Sequence, residues 1–327
     1  MTANGPLCRD QAGCFPTAGS RGNIISADRI PISVLHWRLS LGIALILILC
    51  GVFWLDTTIA KPGIILLPVA ILVTLLASSE FIRLTTDRDL GPQAGLVYGG
   101  SIFIVLVSGI PYLSKIPPLD CPLSNLGIAM LAFVAACIVA FITEIASYKT
   151  EINAIPRLGL TVLGIFYIGL LIGMLTLLRF IDNDRWQSLP LISLIVTVKM
   201  GDIGAYTVGR LVGKHRLTKQ LSPGKTIEGV VGGTLFSVAG SFFALRILPA
   251  WMQLQTPRLD VWQIATYGIL MGLAGVLGDL AESLIKRGTG QKDSSGWLPG
   301  FGGILDLIDS LLLAGPLSYL FWLCATQ

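Results

Sequence analysis

The chain has 327 residues, of which 53% are hydrophobic and only 13% charged, with a mean hydropathy of +0.77 and a formal net charge of +4. A soluble domain of this length has no interior large enough for that much apolar surface, so the composition excludes a water-soluble enzyme and predicts a polytopic membrane protein. Six cysteines form no C-x-x-C pair and read as structural thiols, and two histidines, His36 and His215, are too few for a histidine metal site.

Residues 1–36 are rich in Gly, Ser, Pro and Arg, lack hydrophobic periodicity, and read as a mobile cytoplasmic tail. The first apolar run is longer than a signal-peptide core and lacks an A-x-A cleavage site, so it is expected to remain as a helix. Nine stretches approach the roughly 17–25 apolar residues that a membrane-spanning helix requires. They are residues 38–56, 63–80, 95–114, 125–146, 158–180, 189–211, 228–249, 261–285 and 303–324. The expected fold class is therefore an all-α polytopic membrane helix bundle of about nine helices. Residues 37–190 form its N-terminal half and residues 191–327 the half that carries most of the intramembrane charge. Sixteen of the 23 basic residues fall in the tail and the loops on its side, against six on the other, which predicts a cytoplasmic N-terminus.

The sixth stretch and the loop after it read KMGDIGAYTVGRLVGKHRLTKQLSPGKTIEG. Lys199, Asp202 and Tyr206 share one helical face, where Lys199 and Asp202 could simply neutralise each other. The loop is basic. In SPGKT, Ser222 suits a helix N-cap and Pro223 a first turn, which predicts a helix start whose free N–H groups attract phosphate beside Lys225 and Thr226. The stretch is not a nucleotide-binding P-loop, because position 219 is lysine rather than glycine.

Residues 283–310 place a polar, glycine-rich loop between two apolar segments that each carry an acidic pair: Asp279 with Glu282, and Asp306 with Asp309. Each pair is spaced i, i+3 and so occupies one helical face. Ionisable groups inside membrane helices cost about 2.5–3.5 kcal/mol each and usually line a functional cavity. With the predicted orientation, these four acids and Asp202 lie at one depth on the cytoplasmic side. One shared metal-binding pocket explains them better than independent snorkelling charges.

These residues resemble the integral-membrane phosphatidate cytidylyltransferases, or CDP-diacylglycerol synthases, whose signature is S-x-[apolar]-K-R-x4-K-D-x-[GSA]-x2-[LIF]-[PG]-x-H-G-G-[apolar]-x-D-R-[apolar]-D. Ser283, Lys286, Arg287, Lys292, Asp293, Ser295, Leu298, Pro299, Gly302, Gly303, Asp306 and Asp309 fall in register with it. G-D-I-G-A-Y, G-K-x-x-L and S-P-x-K-T-x-E-G upstream extend the resemblance to about residues 195–320. Two positions depart: Phe301 replaces a histidine and Leu307 an arginine.

The resemblance implies transfer of a cytidylyl group from CTP to phosphatidic acid, with pyrophosphate released, by a Mg²⁺-dependent enzyme for which a second cation stays open. It implies catalytic roles for Asp279, Asp306, Asp309, Lys286 and Arg287. Asp279 and Asp306 are the expected metal ligands, with Asp309 and Asp202 as further candidates. Ser222, Lys225, Thr226, Lys292 and Asp202 are the expected substrate contacts. The implied setting is the cell inner membrane, with the site facing the cytoplasm, lipid as surroundings, no nucleic acid, and a homodimer left open. A CTP-dependent polyprenol or phytol kinase would use a similar pocket. A cation-coupled transporter would more naturally hold its charges at the midplane within paired repeats, which this sequence lacks.

Overall fold

The computed structural model describes residues 44, 47–56, 58, 63–86, 91–113, 122–148, 153–181, 186–252, 255–291 and 302–325. The predicted tail, Lys292 and Phe301 lie outside them. Nine helices follow one another among the described residues: α1 (Leu47–Asp56), α2 (Leu66–Thr86), α3 (Ala94–Leu113), α4 (Pro122–Ser147) and α5 (Ala154–Leu178), then α6 (Leu189–Val212), α7 (Ile227–Met252), α8 (Val261–Gly288) and α9 (Ile304–Ala325). Seven of them are long and apolar enough to cross a membrane; α1 and α3 are the shorter apolar pieces. The chain is thus the polytopic all-α bundle its composition predicts. Side chains such as Leu131, Ile145 and Leu235 stay exposed on the outer faces, as a lipid-facing surface requires.

In lipid, helices gain little from burying leucine against leucine, so their association depends on close van der Waals approach at small residues. α6 and α7 make the tightest pair of the bundle on that principle. A Cβ on Gly233 would stand 3.0 Å from both Ala205 Cβ and the Gly201 carbonyl, and one on Gly201 would collide with Ser237. Gly278 does the same for α8 against α9: a side chain there would meet Ser310 Cα at 2.9 Å. This near-contact of two backbones falls beside Asp279 on one helix and Asp309 on the other.

Two large buried clusters hold the remainder. One gathers Trp186, Leu194, Tyr267, Met271 and Trp322 around α6, α8 and α9. The Tyr267 hydroxyl is satisfied within it: Oη lies 3.1 Å from Ser193 Oγ and 3.0 Å from Ser318 Oγ, and Trp322 Nε1 donates to Ser193 Oγ at 3.3 Å. The other packs Phe81, Leu84, Tyr167, Ile168, Leu305, Ile308 and Leu312 between α2, α5 and α9.

Arg179, at the C-terminal end of α5, is buried. Its Nε donates to Asp56 Oδ2 at 2.7 Å, and the Gly63 and Ile65 amides donate to the same carboxylate at 3.3 and 3.4 Å. A second ion pair joins Arg157 to Glu144 at 2.6 Å, with the Gln93 amide donating to that carboxylate, and so ties α3, α4 and α5 together.

Candidate functional site

The amide ends of α9 fix half of the site. A helix leaves its first N–H groups without internal partners, and Glu80 of α2 takes two of them: Ile304 N donates to Oε1 at 3.0 Å and Leu305 N to Oε2 at 2.9 Å. Asp306, at the third helical position, reaches back to the Gly303 amide at 2.7 Å, half of a capping box. Gly302 has φ +85, and any side chain there would run into the Asp306 carboxyl, so the first of the twin glycines is required twice over. Glu80→Ala should strand two buried amides and lower stability by roughly 1–3 kcal/mol. An unchanged melting temperature of the detergent-solubilised protein would show that α9 does not depend on this cap.

From that anchored start, α9 presents Asp306 and Asp309 to α8. Lys286 of α8 bridges two acids, with Nζ 2.7 Å from Glu282 Oε2 and 2.6 Å from Asp306 Oδ1. On α6, Lys199 Nζ stands 3.0 Å from both Asp202 Oδ2 and Ser310 Oγ, and Ser310 Oγ donates to Asp202 at 3.2 Å. These bonds join α6 to α9, so the pocket inferred from shared depth is one assembly of three helices. Asp279, Glu282 and Asp309 form its most compact acidic group, each offering an oxygen within 4.8 Å of the others. Asp279 is 41% exposed at the mouth, whereas Glu282 and Asp309 are buried.

The basic loop closes over this mouth as a small hairpin. Arg216 pairs antiparallel with Thr226, Leu217 N donates to Lys225 O at 2.8 Å, and Ile227 N to His215 O at 2.9 Å. Glu228 ties the first arm down by accepting from the Lys214 and His215 amides at 3.1 and 3.2 Å, with His215 Nδ1 at 2.6 Å. The hairpin delivers Lys225 Nζ, shut off from solvent, to Asp279 as an ion pair.

The helix start expected at Ser222 lies four residues further on. Ser222 O accepts from Lys225 N at 3.2 Å, so Pro223 occupies a turn rather than a first helical position. Thr226 is the N-cap, extended at φ −121 and ψ 154, and its Oγ1 accepts from Gly229 N at 3.1 Å. The amides expected to attract phosphate are therefore largely engaged, and Lys225 is the group from SPGKT that faces the acids.

Of the residues expected from sequence, the structure brings together Asp202, Asp279, Asp306, Asp309, Lys286 and Lys225. Ser222 and Thr226 shape the hairpin beside them, Arg287 is exposed at the end of α8, and Tyr206 is 62% exposed and bonded to Arg210. Asp306, an expected metal ligand, is engaged by Lys286 and the Gly303 amide and stands outside the compact group, in which Glu282 takes a place. Leu307 packs against the apolar cluster of α2, α5 and α9, which accounts for a side chain without charge at that position. Sequence reasoning missed Glu80 and Ser310. For Glu80 there was a signal, a carboxylate inside an apolar segment; a serine gives none.

Three carboxylates with one buried, unbonded oxygen, Glu282 Oε1, form an all-oxygen donor set suited to a hard divalent cation. The chain is 34% identical over 188 residues to the phosphatidate cytidylyltransferase of Brucella suis, a match covering 58% of this chain and 63% of that protein. It is 36% identical over 200 residues to the enzyme of that name from Synechocystis sp., covering 53% and 65%. Against the one from Staphylococcus epidermidis the figures are 44% over 121 residues, 37% and 44%. The matches thus span less than two thirds of these relatives. A family profile reaches further, running from residue 37 to residue 325 through all nine helices, and by that match the chain belongs to the cytidylyltransferase family.

Proposed function

We propose that this chain transfers the cytidylyl group of CTP to phosphatidic acid, forming CDP-diacylglycerol and releasing pyrophosphate at the cytoplasmic face of the inner membrane. The observation that carries the reading is the acidic group Asp279, Glu282 and Asp309 set inside the bundle under a hairpin that delivers Lys225. The relatives' names and the family membership support the choice of substrates.

Asp279, Glu282 and Asp309 are the residues that would hold Mg²⁺, with Asp306 held beside them by Lys286. An ion held there would offset repulsion between two anionic substrates and the charge on departing pyrophosphate. A phosphate oxygen of phosphatidic acid attacks the α-phosphorus, and the bond from that phosphorus to the bridging oxygen of pyrophosphate breaks. The nucleophile is already ionised near neutral pH, so no general base is required of the protein. Lys225, paired with Asp279 at the mouth, is placed to give its ammonium to a phosphate oxygen of the triphosphate and stabilise that charge by position. Lys286 keeps Glu282 and Asp306 from repelling one another and fixes the spacing of α8 and α9.

Isotope position decides between this reading and a lipid kinase. With CTP labelled at the α-phosphorus, label should enter the lipid fraction only when phosphatidic acid is supplied. Label entering lipid from the γ-phosphorus would instead identify phosphoryl transfer to a lipid alcohol.

A further inference from the structure

Tyr167 has a phenol that the mechanism above leaves unused. The residue is 3% exposed, and its hydroxyl has no hydrogen-bond partner. Buried tyrosine hydroxyls are ordinarily bonded, as Tyr267 is in this same protein, between Ser193 and Ser318. Tyr167 belongs to the buried apolar cluster that also holds Phe81, Leu305 and Ile308, with Ala281 of α8 packed against that cluster.

Leu305, Ile308 and Ala281 of this cluster are the chain neighbours of Asp306, Asp309 and Glu282, so the phenol shares its part of the bundle with the acidic group. A neutral O–H donor among acids is matched to an anionic oxygen acceptor. Residues Ile165–Leu170 of α5 also leave the α-helical path for a π-helical turn, and Tyr167 sits within it. Such a turn shifts the register of the following helix by about 100° and is often kept at functional sites. A wider turn and an unbonded buried hydroxyl thus coincide beside the acidic group.

We infer that Tyr167 is a positioning residue for Asp309: when a divalent cation binds to Asp279, Glu282 and Asp309, the Tyr167 hydroxyl donates to an Asp309 oxygen and orients that carboxylate. Asp309 Oδ1 accepts from the amide of Ser310 at 2.5 Å, a bond within its own helix. Sharing a cation draws the carboxylates toward a common centre, and the phenol supplies the outer hydrogen bond that fixes a metal-binding group in one orientation. This inference rests on the assignment of Asp309 to the metal site.

The test is Mn²⁺ binding to the full-length, detergent-solubilised protein without nucleotide, read as loss of the free-ion resonance. Tyr167→Phe should weaken Mn²⁺ affinity by about 10–100-fold, the usual effect of removing an outer partner of a metal ligand. In chelator its melting temperature should equal or exceed that of the natural protein, because a buried hydroxyl without a partner contributes nothing to the metal-free fold. A lowered melting temperature would mark the hydroxyl as structural and overturn the inference. Asp309→Asn separates the two levels. If Asp309→Asn loses affinity and Tyr167→Phe does not, the tyrosine assignment falls and the metal site stands; if Asp309→Asn binds as the natural protein does, both fall.

Discussion

Asparagine in place of Asp309 is expected to reduce turnover by about 10²–10³-fold, since a divalent cation supplies several kcal/mol of charge stabilisation and each 1.36 kcal/mol is tenfold. Stability should move the other way. Asp309 is buried at 4% exposure among like charges, so removing one charge relieves repulsion in the metal-free protein. The amide oxygen of asparagine can still accept from Ser310 N, so that bond within α9 is kept. Activity with titrated Mg²⁺ and melting in chelator are the two readouts. Full activity would remove Asp309 from the site, and a fall in melting temperature would mean that its role is structural.

Lys286→Met should produce the largest loss of stability in the C-terminal half. The ammonium is shared by Glu282 and Asp306 at 2.7 and 2.6 Å, and the three side chains are 12, 2 and 16% exposed. Removing it leaves two acids facing each other in a dry interface, and breaking a buried pair in this way costs about 3–5 kcal/mol. Methionine preserves most of the apolar stem, so the loss reports on charge rather than on packing. Glu282→Gln added to Lys286→Met should recover part of the melting temperature, because it deletes one of the stranded charges. A single variant as stable as the natural protein would show that solvent or lipid headgroups, not Lys286, compensate these acids.

The helices were legible because apolar run length in a membrane is dictated by bilayer thickness and by the need to satisfy every backbone amide internally. The stretch predicted at 189–211 is Leu189–Val212, and that predicted at 261–285 is Val261–Gly288. The gathering of Asp202, Asp279, Asp306 and Asp309 followed from the cost of isolated intramembrane charge. The partition of those charges did not. Lys286 meets Glu282 at i, i+4 within a helix, which spacing can suggest, but its bond to Asp306 crosses to α9, and Glu80 caps amides 224 and 225 positions away. The start of α7 was misplaced because Ser222 and Thr226 are both good caps, and only the pairing of Arg216 with Thr226 decides between them. Tyr167 carried no signal at all, since a tyrosine in an apolar segment reads as core until a π-turn and an acidic neighbourhood are known.

The central claim is that the cluster beneath the hairpin supports cytidylyl transfer, and product stoichiometry tests it most directly. Purified protein supplied with CTP, phosphatidic acid and Mg²⁺ should release one pyrophosphate for each CDP-diacylglycerol formed, with neither product appearing when the lipid or the cation is withheld. Release of CDP in place of pyrophosphate, or equal turnover in excess chelator, would contradict it.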